Sequence, residues 1–260
     1  MNKNNWYSIK NVAETTADIY LMEQIGHDYW DDTGISGEQF TKDLMALNVE
    51  TINFWVNSPG GSVFDANVIY NAIKKHPAKN KIMHITGMAA SAASFIMMAC
   101  DTRIIYDGGV VMIHLPSSVC WGNREDFAKE IEILETIENE MIEIYKKSTN
   151  LSEEEIRSLL EAETWLGSEE AVEKGFCTEK SESQAVASIS SELILKNKYK
   201  KVPKDLIEKE DINKDSLTAL LKKDGYNEKQ INDYFEKNNI TTNKDADYTK
   251  ALKALEKIKL

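Results

Sequence analysis

The chain has 260 residues, enough for one medium-sized domain with a sizeable core and an additional segment. Its composition, 42% hydrophobic and 28% charged, is typical of a globular protein. The net charge of −12 is unevenly divided, because residues 181–260 hold 16 Lys against 14 Asp and Glu, whereas residues 1–180 carry −14. So acidic a main part argues against nucleic acid as the principal partner.

Cysteine content and hydropathy exclude further classes of protein. Cys100, Cys120 and Cys177 are too few and too far apart to predict a disulfide framework or a zinc site. The sequence has neither clustered metal ligands nor a nucleotide-binding fingerprint, so we expect neither a metal nor a cofactor. The first residues lack the apolar core of a signal peptide, and the longest near-apolar stretch, 85–100, is too short for a membrane span. We therefore predict a cytoplasmic protein without a membrane partner.

The first half of the chain alternates between short apolar runs and helical patterns. The predicted elements are, in chain order, strand 17–22, helix 36–47, strand 51–56, helix 63–75, strand 81–86, helix 89–99 and strands near 102–106 and 109–113. Ser36 is the expected N-cap of the first helix, and Pro77 prevents the second from continuing. This alternation predicts an α/β fold with a mixed or parallel sheet covered by helices.

The second half is predicted to be mainly helical. A long amphipathic helix from Glu125 to Lys147 has apolar residues at steps of three and four and glutamates on much of its other face. Ser152 and Glu155 form a capping box for the next helix. A short helix from about Glu169 is expected to stop at Gly175.

Residues 181–260 change in character and are rich in Lys and Asn. We therefore divide the chain into a main domain, 1–180, and a mainly helical appendage, 181–260. Within the appendage, 216–238 is predicted to form a helical hairpin and 248–260 a last amphipathic helix. Two interpretations stay open, a docking appendage and a loosely packed extension. A basic arm for nucleic acid is disfavoured because its charges nearly balance.

Three polar or glycine-rich motifs follow predicted strands, where α/β folds usually place their chemistry. They are Asn-Ser-Pro-Gly-Gly at 57–61, the small-residue segment 87–94 with two serines, and a strand that ends at His114. Together they supply a glycine-rich backbone cradle, a serine and a histidine. Because a serine hydroxyl needs a base to remove its proton, this set indicates nucleophilic catalysis.

Each motif also has an ordinary structural explanation. Pro-Gly-Gly can be a simple tight turn, and a serine in a small-residue helix is by default a packing residue, which is our interpretation of Ser94. Among the other histidines, His84 lies inside a strand and is predicted to be structural. His76, beside Pro77, is predicted to be a surface loop residue. The order of the three motifs together favours catalysis over these alternatives.

The segment from about 52 to 179 resembles the ClpP-like serine peptidases, the proteolytic subunits of Clp proteases. The resemblance rests on segments 57–61, 87–91 and 112–116, and on Glu-Thr-Trp at 163–165 leading into 170–175. It is most similar to the branch that tailed bacteriophages encode as head maturation (prohead) proteases, because of Gly-Ile-Ser at 34–36, the Glu-Thr-Trp form and the appended tail. The implied fold is the ClpP/crotonase-like spiral of β-β-α units with a protruding handle helix, followed by a mainly helical C-terminal tail.

The resemblance also implies a catalytic triad. Ser91 would be the nucleophile and His114 the base, and Glu163 would be the acid that orients the imidazole. The family's usual acid at this point is aspartate, so Glu161 and Asp126 are kept as alternative candidates.

An oxyanion hole and an oligomeric assembly are implied in the same way. The backbone amides of Gly61 and Ala92 would bind the oxyanion, and a glycine at 61 suits a close approach of backbone to substrate. Helix 125–147 would interlock subunits of a homo-oligomeric ring whose sites face an internal chamber and cleave polypeptides.

The leading hypothesis is a serine endopeptidase that cleaves capsid, scaffold or its own chain during phage head maturation in the host cytoplasm. The appendage would then dock on the assembling capsid, and 181–191 is a candidate self-cleavage segment. Three alternatives stay open. They are a bacterial Clp-type subunit fed by an ATPase, an acyl-CoA enzyme of the crotonase type, and a catalytically silent ring, which only the glutamate at position 163 favours.

Overall fold

The computed structural model describes residues 5–10, 14–28, 33–184, 199–203, 206, 218, 222 and 228–237. The chain divides into two compact units, Met1–Ala187 and Ser188–Leu260. In the second unit, helix Glu228–Lys237 corresponds to the second helix of the predicted hairpin. Most of the first hairpin helix and the predicted helix 248–260 lie outside the described residues.

The first unit contains the strands and helices that the alternating pattern predicts, except that a strand replaces the start of the helix predicted over 89–99. Its strands are β1 (Tyr7–Lys10), β2 (Thr16–Leu21), β3 (His27–Asp28), β4 (Thr33–Gly34), β5 (Thr51–Ser58), β6 (Asn80–Ala90), β7 (Thr102–Asp107), β8 (Val110–Ile113), β9 (Thr164–Gly167) and β10 (Glu179–Gln184). Its helices are α1 (Gly37–Met45), α2 (Val63–Lys75), α3 (Ala92–Met97), α4 (Arg124–Ser148), α5 (Glu153–Glu161) and α6 (Ser168–Glu173). Strand β10 continues beyond residue 181, where we divide the chain, and that division stays a prediction.

The main sheet has the order β1-β2-β5-β6-β7-β10. Strand β1 is antiparallel to β2, and the remaining neighbours along this path are parallel. Strand β6 has two successive partners, because Ile82–Ile85 pair with β7 and Met88–Ala90 pair with β8. Strand β8 in turn pairs antiparallel with β9. The predicted α/β architecture with a mixed sheet is confirmed, and its change of partner at the end of β6 positions the candidate site.

One face of this sheet forms the core. Alternate residues of β2 and β5 are buried, as the two-residue period of a strand requires, and they include Ile19 and Phe54. Helices α1 and α2 cover this face with fully buried residues such as Phe40 and Ile69. Capping fixes where these helices begin, since the Ser36 and Ser62 side chains accept from the amides of Gln39 and Asp65.

The end of β6 differs from the prediction of a helix over 89–99. The strand runs on through Ala90, and the helix starts only at Ala92. Pairing with β8 extends the strand, and the amide of Met88 donates to Asn57 Oδ1 at 3.0 Å. Small residues fit here because two strands and a turn approach closely, so the tertiary pairing overrides the helical pattern.

The prediction that His76 is a surface residue was wrong. Its side chain is buried, the amide of Ala78 donates to Nδ1 at 3.1 Å, and Nε2 lies 3.2 Å from the carbonyl oxygen of Leu47. Since Nδ1 accepts, Nε2 carries the proton and donates to Leu47. Burial lowers the pKa of His76. The histidine therefore closes the α2–β6 loop over the segment after α1.

Helix α4 confirms the predicted long amphipathic helix. It begins with a capping box between Asn123 and Asp126 and runs for 25 residues. Only residues in its last third are buried, whereas Phe127 and Ile131 near its start are 49% and 57% exposed. Among the residues that the structure describes, the first half of the helix therefore has no covering layer. Among the described helices, none is both long and apolar enough to span a membrane.

Candidate active site

Ser91 occupies the tight turn between β6 and α3. Its backbone has φ 52° and ψ −121°, a combination that costs energy in a residue with a side chain. The surroundings hold it there, because the Ser91 amide donates to the carbonyl of Met112 at 2.8 Å. Its own carbonyl accepts from the amide of Ser94 at 2.9 Å. A strained strand-to-helix turn of this kind presents a serine hydroxyl at the end of a sheet.

His114 follows β8 and reaches this hydroxyl directly. The distance from its Nε2 to Ser91 Oγ is 2.8 Å, within the range for proton transfer. Burial lowers the pKa of His114, and the charge of Glu163 partly opposes this shift. The imidazole is therefore mainly neutral at pH 7, with Nε2 available to accept the serine proton.

Glu163 is brought to His114 by the pairing of β8 with β9. The antiparallel register pairs Ile113 with Thr164, so the next position along the ladder places His114 beside Glu163. Glu163 is buried, and its backbone has φ 49°, which turns the chain from α5 into β9. The indole nitrogen of Trp165 donates to its carboxylate at 3.4 Å. This acid is thus held inside the site and acts electrostatically on the imidazole.

The two alternative acids lie in other surroundings. Glu161 is exposed at the end of α5. The carboxylate of Asp126 accepts from the amide of Asn123 at 2.8 Å and caps α4. Of the three acids considered, the structure brings Glu163 together with Ser91 and His114.

Gly60 packs directly against the turn that contains Ser91. Its φ is +95°, and a Cβ atom on it would lie 2.6 Å from the carbonyl oxygen of Ala90 and 2.8 Å from the Cβ of Ser91. The sequence pattern draws attention to Gly61, but Gly60 makes the close approach to the serine. At Gly61, with φ +152°, a Cβ would lie 2.0 Å from the carbonyl oxygen of Ile25. Position 61 therefore requires a glycine because the backbone of Ile25 lies against it.

The backbone N–H groups of Gly61 and Ala92 are available to donate hydrogen bonds to an oxyanion. Neither donates to an acceptor among the described residues. Ala92 is the first residue of α3, where a helix leaves its amides without an internal partner. The Gly60 Cα approaches the Ala92 amide closely, since a Cβ on Gly60 would lie 2.9 Å from that nitrogen. The 57–61 segment and the start of α3 therefore meet at the serine.

Asn57 and Ser58 have a positioning role that the sequence pattern did not indicate. The Asn57 side chain binds β6, as described above, and the Ser58 hydroxyl donates to the carbonyl of Glu23 at 2.7 Å. The Ser58 oxygen also accepts from the amide of Gly60 at 3.2 Å. A register shift between β5 and β6 at this point leaves room for the glycines. The polar residues of this motif therefore fix the loop beside the serine.

Other candidate nucleophiles and a metal site find little support. Ser94 is completely buried, so its hydroxyl is not accessible to a substrate. Burial raises the pKa of the Cys100 and Cys177 thiols to about 12, so both are protonated and unreactive at neutral pH. Within the described part of the chain, no group of three His, Cys, Asp or Glu residues is placed to hold a metal ion.

Comparison with known proteins gives a consistent assignment. The sequence profile of the Clp protease family matches residues 1–183. An ATP-dependent Clp protease proteolytic subunit from Deinococcus radiodurans is 28% identical over 128 residues, which cover 48% of this chain and 62% of that subunit. Proteolytic subunit 2 from Mycolicibacterium paratuberculosis is 28% identical over 175 residues, covering 64% and 86%. Proteolytic subunit 1 from Protochlamydia amoebophila is 30% identical over 152 residues, covering 55% and 73%.

The fold is shared with a solved structure. A mutant of ClpP1 from Listeria monocytogenes superimposes with a TM-score of 0.53 and 22% identity, covering 63% of this chain and 90% of that one. The predicted ClpP-like α/β fold is confirmed. The prediction of a serine-type peptidase family is likewise confirmed, which argues against the acyl-CoA alternative. The chain belongs to the Clp protease family of serine-type peptidases.

Proposed function

We propose that this chain is a serine endopeptidase in which Ser91 is the nucleophile, His114 the general base and Glu163 the orienting acid. The observation that carries the proposal is the 2.8 Å contact between Ser91 Oγ and His114 Nε2. It occurs at a strained turn beside the amides of Gly61 and Ala92, which donate to no acceptor among the described residues. A hydroxyl, an imidazole and a carboxylate in this order are the parts that acyl transfer to serine requires.

The proposed reaction proceeds through an acyl-enzyme. Ser91 Oγ forms a bond to the substrate carbonyl carbon while its proton passes to His114 Nε2. The carbonyl oxygen becomes an oxyanion, which the amides of Gly61 and Ala92 stabilise. His114 then gives its proton to the leaving amine as the C–N bond breaks. Water, deprotonated by the same imidazole, then bonds to the acyl carbon, the C–Oγ bond breaks, and the proton passes from His114 back to Ser91 Oγ as the acid product leaves. Glu163 stabilises the imidazolium at both stages.

The glutamate at position 163 is compatible with this role. Its carboxylate is buried and accepts from Trp165, and its charge raises the pKa of His114. A carboxylate that interacts with the imidazole in this way favours an active triad over a catalytically silent ring. Glu163 has a positive φ, which redirects the backbone where α5 leads into β9.

We also propose that the active form is a homo-oligomeric ring that acts on polypeptides. Proteins of the Clp protease family form such rings. The supporting feature in this chain is the first half of α4, where Phe127 and Ile131 lie four residues apart on one helix face and are about half exposed. Apolar residues in such a row indicate a surface that a second subunit covers.

Two biological settings have specific support. Processing of capsid, scaffold or its own chain during phage head maturation is supported by the Glu-Thr-Trp segment and by the 77 residues, 184–260, beyond the part matched by the family profile. Partnership with an ATPase is supported by the relatives, which are named ATP-dependent Clp protease proteolytic subunits. We place the phage setting first and the ATPase setting second.

Digestion of an unfolded polypeptide tests the chemistry. The wild-type chain should cleave reduced, unfolded casein, and Ser91→Ala should abolish cleavage. Ser158→Ala is the matched control, because this serine is exposed on α5 and distant in sequence from the three motifs. Cleavage that survives in Ser91→Ala would reject the proposed nucleophile.

A second assay separates the two settings. The chain is mixed with purified capsid and scaffold proteins of a tailed phage, or with unfolded substrate, ATP and a Clp ATPase. Limited cleavage of head proteins without ATP supports the phage setting. Degradation that requires both ATP and the ATPase supports the Clp setting and would reject the first.

A further inference from the structure

Two buried hydroxyls connect the serine turn to α4. The hydroxyl of Ser94 on α3 donates to the carbonyl oxygen of Ser91 at 2.6 Å. The same Ser94 Oγ lies 2.8 Å from the hydroxyl of Tyr145. Neither Ser94 nor Tyr145 is accessible to solvent. The direction of the hydrogen bonds in this pair can be worked out from the donors and acceptors of the three residues.

The number of protons on each group determines which group donates in each of these hydrogen bonds. A carbonyl oxygen can only accept, so the single proton of the Ser94 hydroxyl is used towards Ser91. Towards Tyr145, Ser94 Oγ must then accept, and the phenol must donate. Burial raises the pKa of Tyr145, so its hydroxyl keeps this proton throughout the neutral range. The bonds run in one direction, from Tyr145 through Ser94 to the Ser91 carbonyl.

That carbonyl belongs to the peptide unit between Ser91 and Ala92. The unit is planar, so holding its oxygen also fixes the direction of the Ala92 N–H at its other end. The backbone of Ser91 is strained, with φ 52° and ψ −121°, so hydrogen bonds must keep this orientation. The Ser91 oxygen accepts from the amides of Ser94 and Phe95 at 2.9 and 3.3 Å, and the Ser94 hydroxyl adds the shortest bond. Hydrogen bonds donated to the oxygen also polarise the peptide unit and strengthen the N–H as a donor.

We propose that the Tyr145–Ser94 hydroxyl pair positions and polarises the Ala92 amide that stabilises the oxyanion. This inference rests on the proposed function, and it makes Ser94 and Tyr145 positioning residues of the reaction. The simpler possibility is that the pair only holds α3 against α4. A purely structural pair would change stability without changing the rate of acylation.

The rate of reaction with a fluorophosphonate distinguishes these roles. In this reaction Ser91 Oγ bonds to phosphorus, the P–F bond breaks, fluoride leaves, and the hydroxyl proton passes to His114. The phosphoryl oxygen gains negative charge and occupies the oxyanion position. Saturation kinetics give the limiting rate separately from the affinity for the probe.

Three variants define the expected result. Ser94→Ala should lower the limiting rate about 10-fold and Tyr145→Phe about 3-fold, with unchanged probe affinity. The double variant should be no slower than Ser94→Ala, because the tyrosine acts only through the serine. The pH at which labelling is half-maximal should stay the same, because the environment of His114 is unchanged.

Tyr7→Phe is the matched control. The Tyr7 hydroxyl donates to Asp43 at 2.6 Å, so this variant also removes a tyrosine hydroxyl bond, on the edge strand β1. It should lower the thermal unfolding temperature and leave the limiting rate as in wild type. Tyr145→Phe keeps the buried ring and tests the inference by itself if Ser94→Ala does not fold.

The possible outcomes distinguish failure of the positioning role from failure of the proposed function. Labelling at the wild-type rate in a folded Ser94→Ala or Tyr145→Phe protein overturns the positioning role and leaves the proposed function intact. Effects that multiply in the double variant also overturn it, since they would be independent. Absence of labelling in the wild-type protein overturns the proposed function, and the inference falls with it.

Discussion

Replacing Gly60 by alanine should displace the turn that carries the candidate nucleophile Ser91. The new Cβ would lie 2.6 Å from the Ala90 oxygen, 2.8 Å from the Ser91 Cβ and 2.9 Å from the Ala92 nitrogen. Carbon atoms of side chains essentially never approach closer than 3.0 Å, so the serine turn must move by at least about 0.4 Å. None of these three atoms belongs to the far end of a flexible side chain, so the movement falls on the nucleophile and the oxyanion amide.

Gly60→Ala should lower both the stability of the folded protein and the rate of acylation. A left-handed backbone costs a residue with a side chain about 1–2 kcal/mol, and overpacking adds about 1–3 kcal/mol. We therefore expect the free energy of unfolding to decrease by about 2–5 kcal/mol. Misplacement by about 1 Å can cost a reaction about 10²-fold, so a shift of roughly half that should slow acylation about 10-fold or more.

Gly167→Ala is the control for this substitution. Gly167 has φ −68°, and a Cβ on it meets no heavy atom within 4 Å. Gly167→Ala should change neither the free energy of unfolding nor the rate of acylation appreciably. Urea unfolding measures the free energy, and fluorophosphonate labelling at saturation measures the rate. A Gly60→Ala protein that labels at the wild-type rate would refute the argument that this contact positions the serine.

The remaining predictions concern the triad, a buried arginine and assembly. Labelling should rise with pH through a His114 pKa below 6.5, and Glu163→Gln, which removes the charge that raises this pKa, should move the inflection to lower pH and reduce the maximal rate about 10²- to 10⁴-fold. An inflection at the wild-type pH in Glu163→Gln would show that Glu163 does not act on His114. Arg103 donates to four carbonyls at the ends of α3, α4 and α6, so Arg103→Lys should lower the free energy of unfolding by about 3–5 kcal/mol, and a loss below 1 kcal/mol in urea would contradict this. Phe127→Lys with Ile131→Lys should reduce the mass measured by light scattering to that of smaller assemblies, and an unchanged mass would reject α4 as a subunit contact.

Elements with local signals were predictable from the sequence. Helix α2 has the predicted bounds of 63 and 75, because its cap residue precedes it and Pro77 follows. The capping boxes at the starts of α4 and α5 similarly act within four residues. Such signals do not depend on the rest of the chain. For the same reason, the long α4 could be placed from its periodicity alone.

Features set by distant partners could not be located in this way. The end of β6 depends on pairing with β8, and the burial of His76 depends on the Leu47 carbonyl, 29 residues away. The three acids considered for the triad were distinguished by the β8–β9 register. The hydroxyl pair of Ser94 and Tyr145 joins residues 51 apart, and no local pattern indicates it. The candidate serine and histidine could be proposed from the sequence because each follows a strand and the segments together resemble a family.

The most direct test of the account is to find which residue a fluorophosphonate modifies. The protein is labelled, digested and mapped by mass spectrometry, with Ser91→Ala and Ser158→Ala treated in parallel. The account predicts a single adduct on Ser91 in the wild type and in Ser158→Ala, and none in Ser91→Ala. An adduct on another residue, or an assembled and folded wild-type protein that does not react, would contradict the claim that Ser91 is an activated nucleophile.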